Sequence, residues 1–144
     1  MISQEKALAL KEAGLQWEPK PGDWYSYPEG KPCLVAFQST ISEYIQVTNT
    51  TDESFPNTRL MTISELLKEK TVWLPRLDQL LAEIEKLGWE YSVGLWSERT
   101  HQRYECVVVK SNKRLVFFGE TPKDAVTDAL LWILKNDDKT PEGR

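Results

Sequence analysis

The sequence predicts an α+β fold: an antiparallel three-stranded sheet flanked by two helices in the order α-β-β-β-α, preceded by an N-terminal lobe of one helix and short strands. Three observations predict it. Within Val72–Gly88 the residues Leu77, Leu80, Leu81, Ile84 and Leu87 recur at helical spacing, with Gly88 placed for a left-handed C-terminal cap. Three stretches of strand length follow, Trp89–Leu95, Arg103–Lys110 and Leu115–Phe118, separated by polar turns. Ala125, Val126, Ala129, Leu130, Ile133 and Leu134 then form a second helical stripe. The expected division is an N-terminal α+β lobe over residues 1–70, the α-β-β-β-α unit over 71–136 and a disordered charged tail over 137–144, the two folded parts forming one compact structure.

Ser3 is placed as an N-cap, and Ala7, Leu8, Leu10, Lys11 and Leu15 stripe a first helix ending near Gly14. Pro19, Pro21, Pro28 and Pro32 forbid a helix in the next stretch, where Trp17, Trp24, Tyr25 and Tyr27 add aromatic surface around a short strand at Asp23–Tyr27. Cys33–Phe37 is an apolar run of strand length, and Glu43–Thr48 alternates as a half-buried strand; the two are expected to pair. The polar stretch Thr48–Thr58 reads as a mobile loop. Thr62-Ile63-Ser64-Glu65 matches a capping box and opens a brief helix from Ile63 to about Lys68. Pro75 suits the first position of the central helix, with Trp73 stapling its start.

In the first strand of the unit Trp89, Tyr91, Val93 and Leu95 share one face; in the second, Tyr104, Cys106 and Val108 oppose Glu105, Val107 and Val109. Ser111–Lys113 makes the turn, and the hairpin across it is the surest pairing. Thr121-Pro122-Lys123-Asp124 supplies an N-cap, a first-turn proline and a first-turn acid for the last helix.

Composition narrows function mainly by exclusion. Eighteen Lys and Arg against 22 Asp and Glu give a formal net charge of -4, which offers no global attraction to phosphate or anionic lipid. No apolar run approaches the roughly 20 residues of a membrane span, and the N-terminus lacks a signal-peptide pattern, so a cytoplasmic location without membrane association is expected. Cys33 and Cys106 show no zinc or redox spacing and are expected to be small buried hydrophobes. His101 is the only histidine, which removes multi-histidine metal sites, and the seven glycines form no phosphate loop. Carboxylates fall on solvated helix faces; only Glu18 and Asp23, among aromatics and prolines, have unusual surroundings, and their spacing matches no mechanism. No catalytic residue, metal ligand or cofactor is therefore expected.

The element order α-β-β-β-α is also that of the double-stranded-RNA-binding fold. Glu98–Lys123 holds six basic residues against three acids, yet Asp124 and Asp128 stand where a phosphate-binding helix places lysines. The candidate interaction surface comprises the basic hairpin residues Lys110, Lys113 and Arg114 with the two least anchored tryptophans, Trp96 and Trp132.

Leu10-Lys11-Glu12-Ala13-Gly14 with Glu18-Pro19-Lys20-Pro21-Gly22-Asp23-Trp24, then Trp73-Leu74-Pro75-Arg76-Leu77-Asp78-Gln79-Leu80-Leu81, then Thr121–Val126 with Ala129–Leu134, resemble parts of small uncharacterised bacteriophage and prophage accessory proteins. The last of these is similar in shape to phage domains built as an alpha-beta-alpha sandwich. The resemblance implies an accessory role and carries no activity, cofactor or catalytic residue. The functional expectation is a non-enzymatic protein that binds an unknown protein partner or itself, with nucleic acid the weaker alternative.

Overall fold

The computed structural model describes residues 2–28, 31–35, 44–49, 57–98 and 101–136. They form helices α1 (Gln4–Glu12), α2 (Ile63–Lys70), α3 (Leu77–Lys86) and α4 (Pro122–Asn136). The strands are β1 (Trp24–Ser26), β2 (Cys33–Leu34), β3 (Tyr44–Asn49), β4 (Asn57–Thr62), β5 (Val72–Trp73), β6 (Glu90–Glu98), β7 (His101–Lys110) and β8 (Lys113–Gly119). The protein is α+β, and the chain divides into two compact units, Gln16–Leu74 and Met1–Leu15 with Pro75–Arg144.

The larger unit is built on the antiparallel meander β6-β7-β8. Alternation of side chains along a strand decides which residues meet the helices. Cys106 and Val108 are fully buried beneath α4, with Val93, Tyr104, Leu115 and Phe117 in register on the same face. Pairing continues unbroken past Gly94, which pairs with Glu105, so this glycine makes no bulge. Lys110 and Lys113 flank a two-residue turn in which Ser111 takes φ 53°, as a II′ hairpin requires at its first central position.

Helix α4 starts as its sequence dictates: Thr121 Oγ1 accepts from the Asp124 backbone N–H at 3.1 Å and Pro122 is the first helical residue. Ala125, Val126, Thr127, Ala129, Leu130, Ile133 and Leu134 are all buried, an arc covering roughly half the helix circumference. So wide an arc needs partners beyond the sheet, and α4 touches α1 and α3 as well as all three strands. Helix α3 packs beside α4 and against β6, burying Leu80 and Ile84 completely. It begins at Leu77, not at Pro75: Arg76 is extended and acts as N-cap, its backbone N–H donating to Gln79 Oε1 at 2.9 Å. Gly88 closes it at φ 87°. Both helices lie on the Cys106 face, giving a two-layer unit, whereas an alpha-beta-alpha sandwich has helices on both faces.

Helix α1 belongs to this unit, although the sequence groups it with the residues that follow it and places the boundary near residue 70. Ser3 caps it through the Lys6 backbone N–H at 3.1 Å, α1 contacts α4, and Ile2, Ala7 and Leu10 are buried while Leu8 is exposed. Lys6 Nζ reaches Asp124 at 3.1 Å and Asp128 at 3.4 Å. A buried leucine contributes about 1.5–3 kcal/mol and a partly exposed ion pair under about 1 kcal/mol. Leu10, then, holds the helix on, and Lys6 sets its register.

The smaller unit gathers Trp17, Val35 and Leu67 into a core with Tyr25, Ile63 and Trp73. Its three-stranded sheet has the order β2-β1-β5, so Val72–Trp73 is a strand here and no part of the central helix. Trp73 stacks flat on Trp17, ring centroids 6.2 Å apart and planes 2° from parallel, instead of stapling α3. Two strand pairings differ from expectation. Cys33–Leu34 pairs with β1, with Val35 extending the contact by donating to Asp23 O at 2.9 Å; residues 36 and 37 lie outside the described residues. Tyr44–Asn49 pairs instead with Asn57–Thr62, of which Asn57 and Thr58 fall within the expected loop. Helix α2 is capped as expected, Thr62 Oγ1 accepting from the Glu65 backbone N–H at 3.0 Å.

Candidate interaction surface

The face of the β6-β7-β8 sheet turned away from the helices is set by the same alternation that buries Cys106. Register places Ser92, Gly94 and Trp96 of β6 beside Val107, Glu105 and Arg103 of β7, then Val116 and Phe118 of β8. On an ordinary two-layer sheet this face is polar. Here Val116 and Phe118 are 38% and 39% exposed, and Trp96, Val107 and Val109 are half-buried. An aromatic clamp forms its centre. The Arg103 guanidinium lies 4.7 Å from the Trp96 ring centroid and 4.2 Å from that of Phe118, and the two rings meet edge to face at 6.1 Å. The two rings thus flank the guanidinium on adjacent sides, and its buried Nε has no hydrogen-bond partner among the described residues. Arg103 and Phe118 also line a surface hollow of about 370 Å³ with Gln102, Gly119 and Glu120.

The five residues named from the sequence are not brought together. Trp96 lies on this open face, but Trp132 is on the helix side, edge-on to the buried Trp89 at 6.3 Å. Lys110 also turns to the helix side: its Nζ donates to the Leu87 carbonyl at 3.2 Å, at the C-terminus of α3, and lies 5.9 Å from the Trp89 ring. A cation at a helix C-terminus meets the negative end of the macrodipole, which gives Lys110 a structural duty. Lys113 and Arg114 are exposed beside the turn, on opposite faces of the sheet. Among the described residues, the basic side chains of the hairpin region therefore do not concentrate into one phosphate-reading patch. Arg103 and Phe118, which the sequence pattern does not single out, share the open face with Trp96; strand parity together with cross-strand register was the signal that could have found them.

The two unusual acids have structural partners. Asp23, 5% exposed, accepts from Trp17 Nε1 at 2.9 Å and from the Lys20 backbone N–H at 3.0 Å, pinning the proline-rich segment to its core. Glu18 is exposed and pairs with Lys68. Cys106 is buried, which pushes its thiol up to about 11, far from the thiolate a nucleophile needs. Cys33, expected buried, is half-exposed, its Sγ 3.4 Å from the Lys31 carbonyl. Among the described residues no group of His, Cys, Asp and Glu could hold a metal ion, and no helix is long and apolar enough to cross a membrane.

Comparison with protein-family models, with curated proteins and with solved structures returns no match.

Proposed function

We propose that the chain is a non-enzymatic interaction protein whose working surface is the uncovered face of the β6-β7-β8 sheet, centred on Trp96, Arg103, Phe118 and Val116. The observation that carries this reading is the apolar and aromatic content of a sheet face that two-layer folds ordinarily leave polar. Tryptophan and arginine are the residue types that dominate binding hot spots, and here they are pre-ordered by stacking, which lowers the entropy lost on docking. The three sequence motifs support a phage or prophage accessory role in the cytoplasm. A duplex-RNA role finds less support, because Lys110 is committed to the end of α3 and the acids Asp124 and Asp128 hold Lys6.

The test compares the full chain with the single substitution Val116→Glu, which places a charge on the open face and away from the helices. Sedimentation of the pure protein and affinity capture from lysate are run on both. Loss of association in V116E, with an unchanged circular dichroism spectrum, supports the reading. Association that survives the substitution, or a wild-type chain that binds neither itself nor any protein, removes it.

A further inference from the structure

Resting on that reading, we infer that the partner of the open face is a second copy of the chain, docked face to face with its central strand antiparallel to ours. The face is self-complementary. Arg103 and Glu105 stand two residues apart on β7, so they share the face about 6.6 Å from each other along the strand. Both are half-buried among apolar side chains, and neither makes an ion pair with any described residue. A half-desolvated cation and a half-desolvated anion, neither with an ion-pair partner among the described residues, call for opposite charges from outside.

A closed dimer supplies both at once. A two-fold axis lying in the interface, perpendicular to β7 and crossing it over Tyr104, sets Arg103 of each copy opposite Glu105 of the other. An axis running along β7 would instead oppose Arg103 to Arg103, so the charges select the antiparallel arrangement. Shape agrees with charge. Register puts Trp96 beside Arg103 and Gly94 beside Glu105. The same axis therefore sets the Trp96 ring of one copy over Gly94 of the other, and a Cβ built on Gly94 meets nothing within 4 Å. The tryptophan is a knob and the glycine is its hole. Sheets packed face to face sit about 10 Å apart, a gap that two long charged side chains and an indole can fill.

With the axis over Tyr104 the copies overlap along residues 101–107 of β7 and their β6 partners, β8 ending at the axis, a face of roughly 20 Å by 10 Å, which implies dissociation in the high micromolar range or weaker. The experiment is sedimentation velocity on the full chain from about 10 μM to about 1 mM, across which micromolar affinities are resolved. The expected result is a reversible monomer–dimer equilibrium. Arg103→Glu and Glu105→Arg are each expected to weaken it about tenfold or more, and the double swap R103E/E105R to restore it to within about threefold of wild type. Restoration shows that the two charges meet across the interface, and circular dichroism unchanged from wild type in each single variant shows that it is folded. A strict monomer throughout the range overturns the inference, as does a dimer indifferent to both reversals. If the wild type stays monomeric yet captures another protein through a surface blocked by V116E, the interaction reading stands and the second copy falls.

Discussion

Individual side chains show where the larger unit is tuned and where it is not. Thr127 has no solvent exposure, and its hydroxyl has no partner among the described residues. A buried hydroxyl without a hydrogen bond costs about 1–3 kcal/mol, and valine keeps the shape while removing the polar atom. Thr127→Val is therefore expected to raise the stability of this unit by about 1 kcal/mol, read as a higher urea midpoint at unchanged slope. An equal or lower midpoint would show that the hydroxyl is satisfied. Gly119 is tuned in the opposite sense. A Cβ there would lie 2.6 Å from the Ala125 backbone nitrogen and 2.8 Å from Asp124 Cβ, so the end of β8 passes too close to the first turn of α4 for any side chain. Gly119→Ala is expected to destabilise by about 1–3 kcal/mol, seen as a lower melting temperature. Sequence alone made Gly119 one scattered glycine among seven, because the need for it arises from the approach of a helix backbone.

At the scale of elements, what was legible followed from period. Helices α3 and α4 and strands β6 to β8 carry their own patterns, 3.6 or 2.0, over 7 to 15 residues, and they appear where those patterns predict. Elements without a period were missed. Asn57-Thr58-Arg59-Leu60-Met61-Thr62 has no alternation of apolar and polar residues, and only its pairing with β3 makes it a strand. Val72–Trp73 is two residues long and pairs with β1, 48 positions back at Tyr25↔Trp73, a contact no local window reveals. The partner of α1 was equally hidden. The clasp of Lys6 on α4 makes this junction sensitive to pH in a definite sense. The Lys6 ammonium, hydrogen-bonded to Asp124, holds that carboxyl below its ordinary value against the opposing effect of burial, with Thr121 assisting. Asp124 thus contributes stability above about pH 4, lost as pH falls through its lowered value. Burial alone would lower the Lys6 pKa, but the hydrogen bond to Asp124 and the charge of Asp128 outweigh it and the net shift is upward. Its contribution is complete below about pH 10.4 and is lost as pH rises through the raised value. Stability should therefore be flat between these limits and fall outside both. Lys6→Met is expected to shrink both limbs, by under about 1 kcal/mol at neutral pH, in denaturation curves recorded from pH 2 to 12. Identical profiles for the two proteins would show that the clasp contributes nothing.

For the whole molecule, the candidate surface was half legible. Trp96 was recognisable as a tryptophan on the polar side of its strand, but its companions were not, since Trp132 and Lys110 turn to the helix layer and Arg103 and Phe118 join it only through register. The smaller unit was less readable still: its core joins Trp17, Val35 and Leu67, residues with no shared period. Both failures have one origin, which is that long-range pairing decides burial wherever local pattern is weak. The packing of α1 on α4 carries this to the chain's earliest moments. On the ribosome, the first fifteen residues emerge more than a hundred positions ahead of the helix that receives α1. They must wait, uncovered, until α4 has been made, so the larger unit closes only once Pro122–Asn136 has emerged.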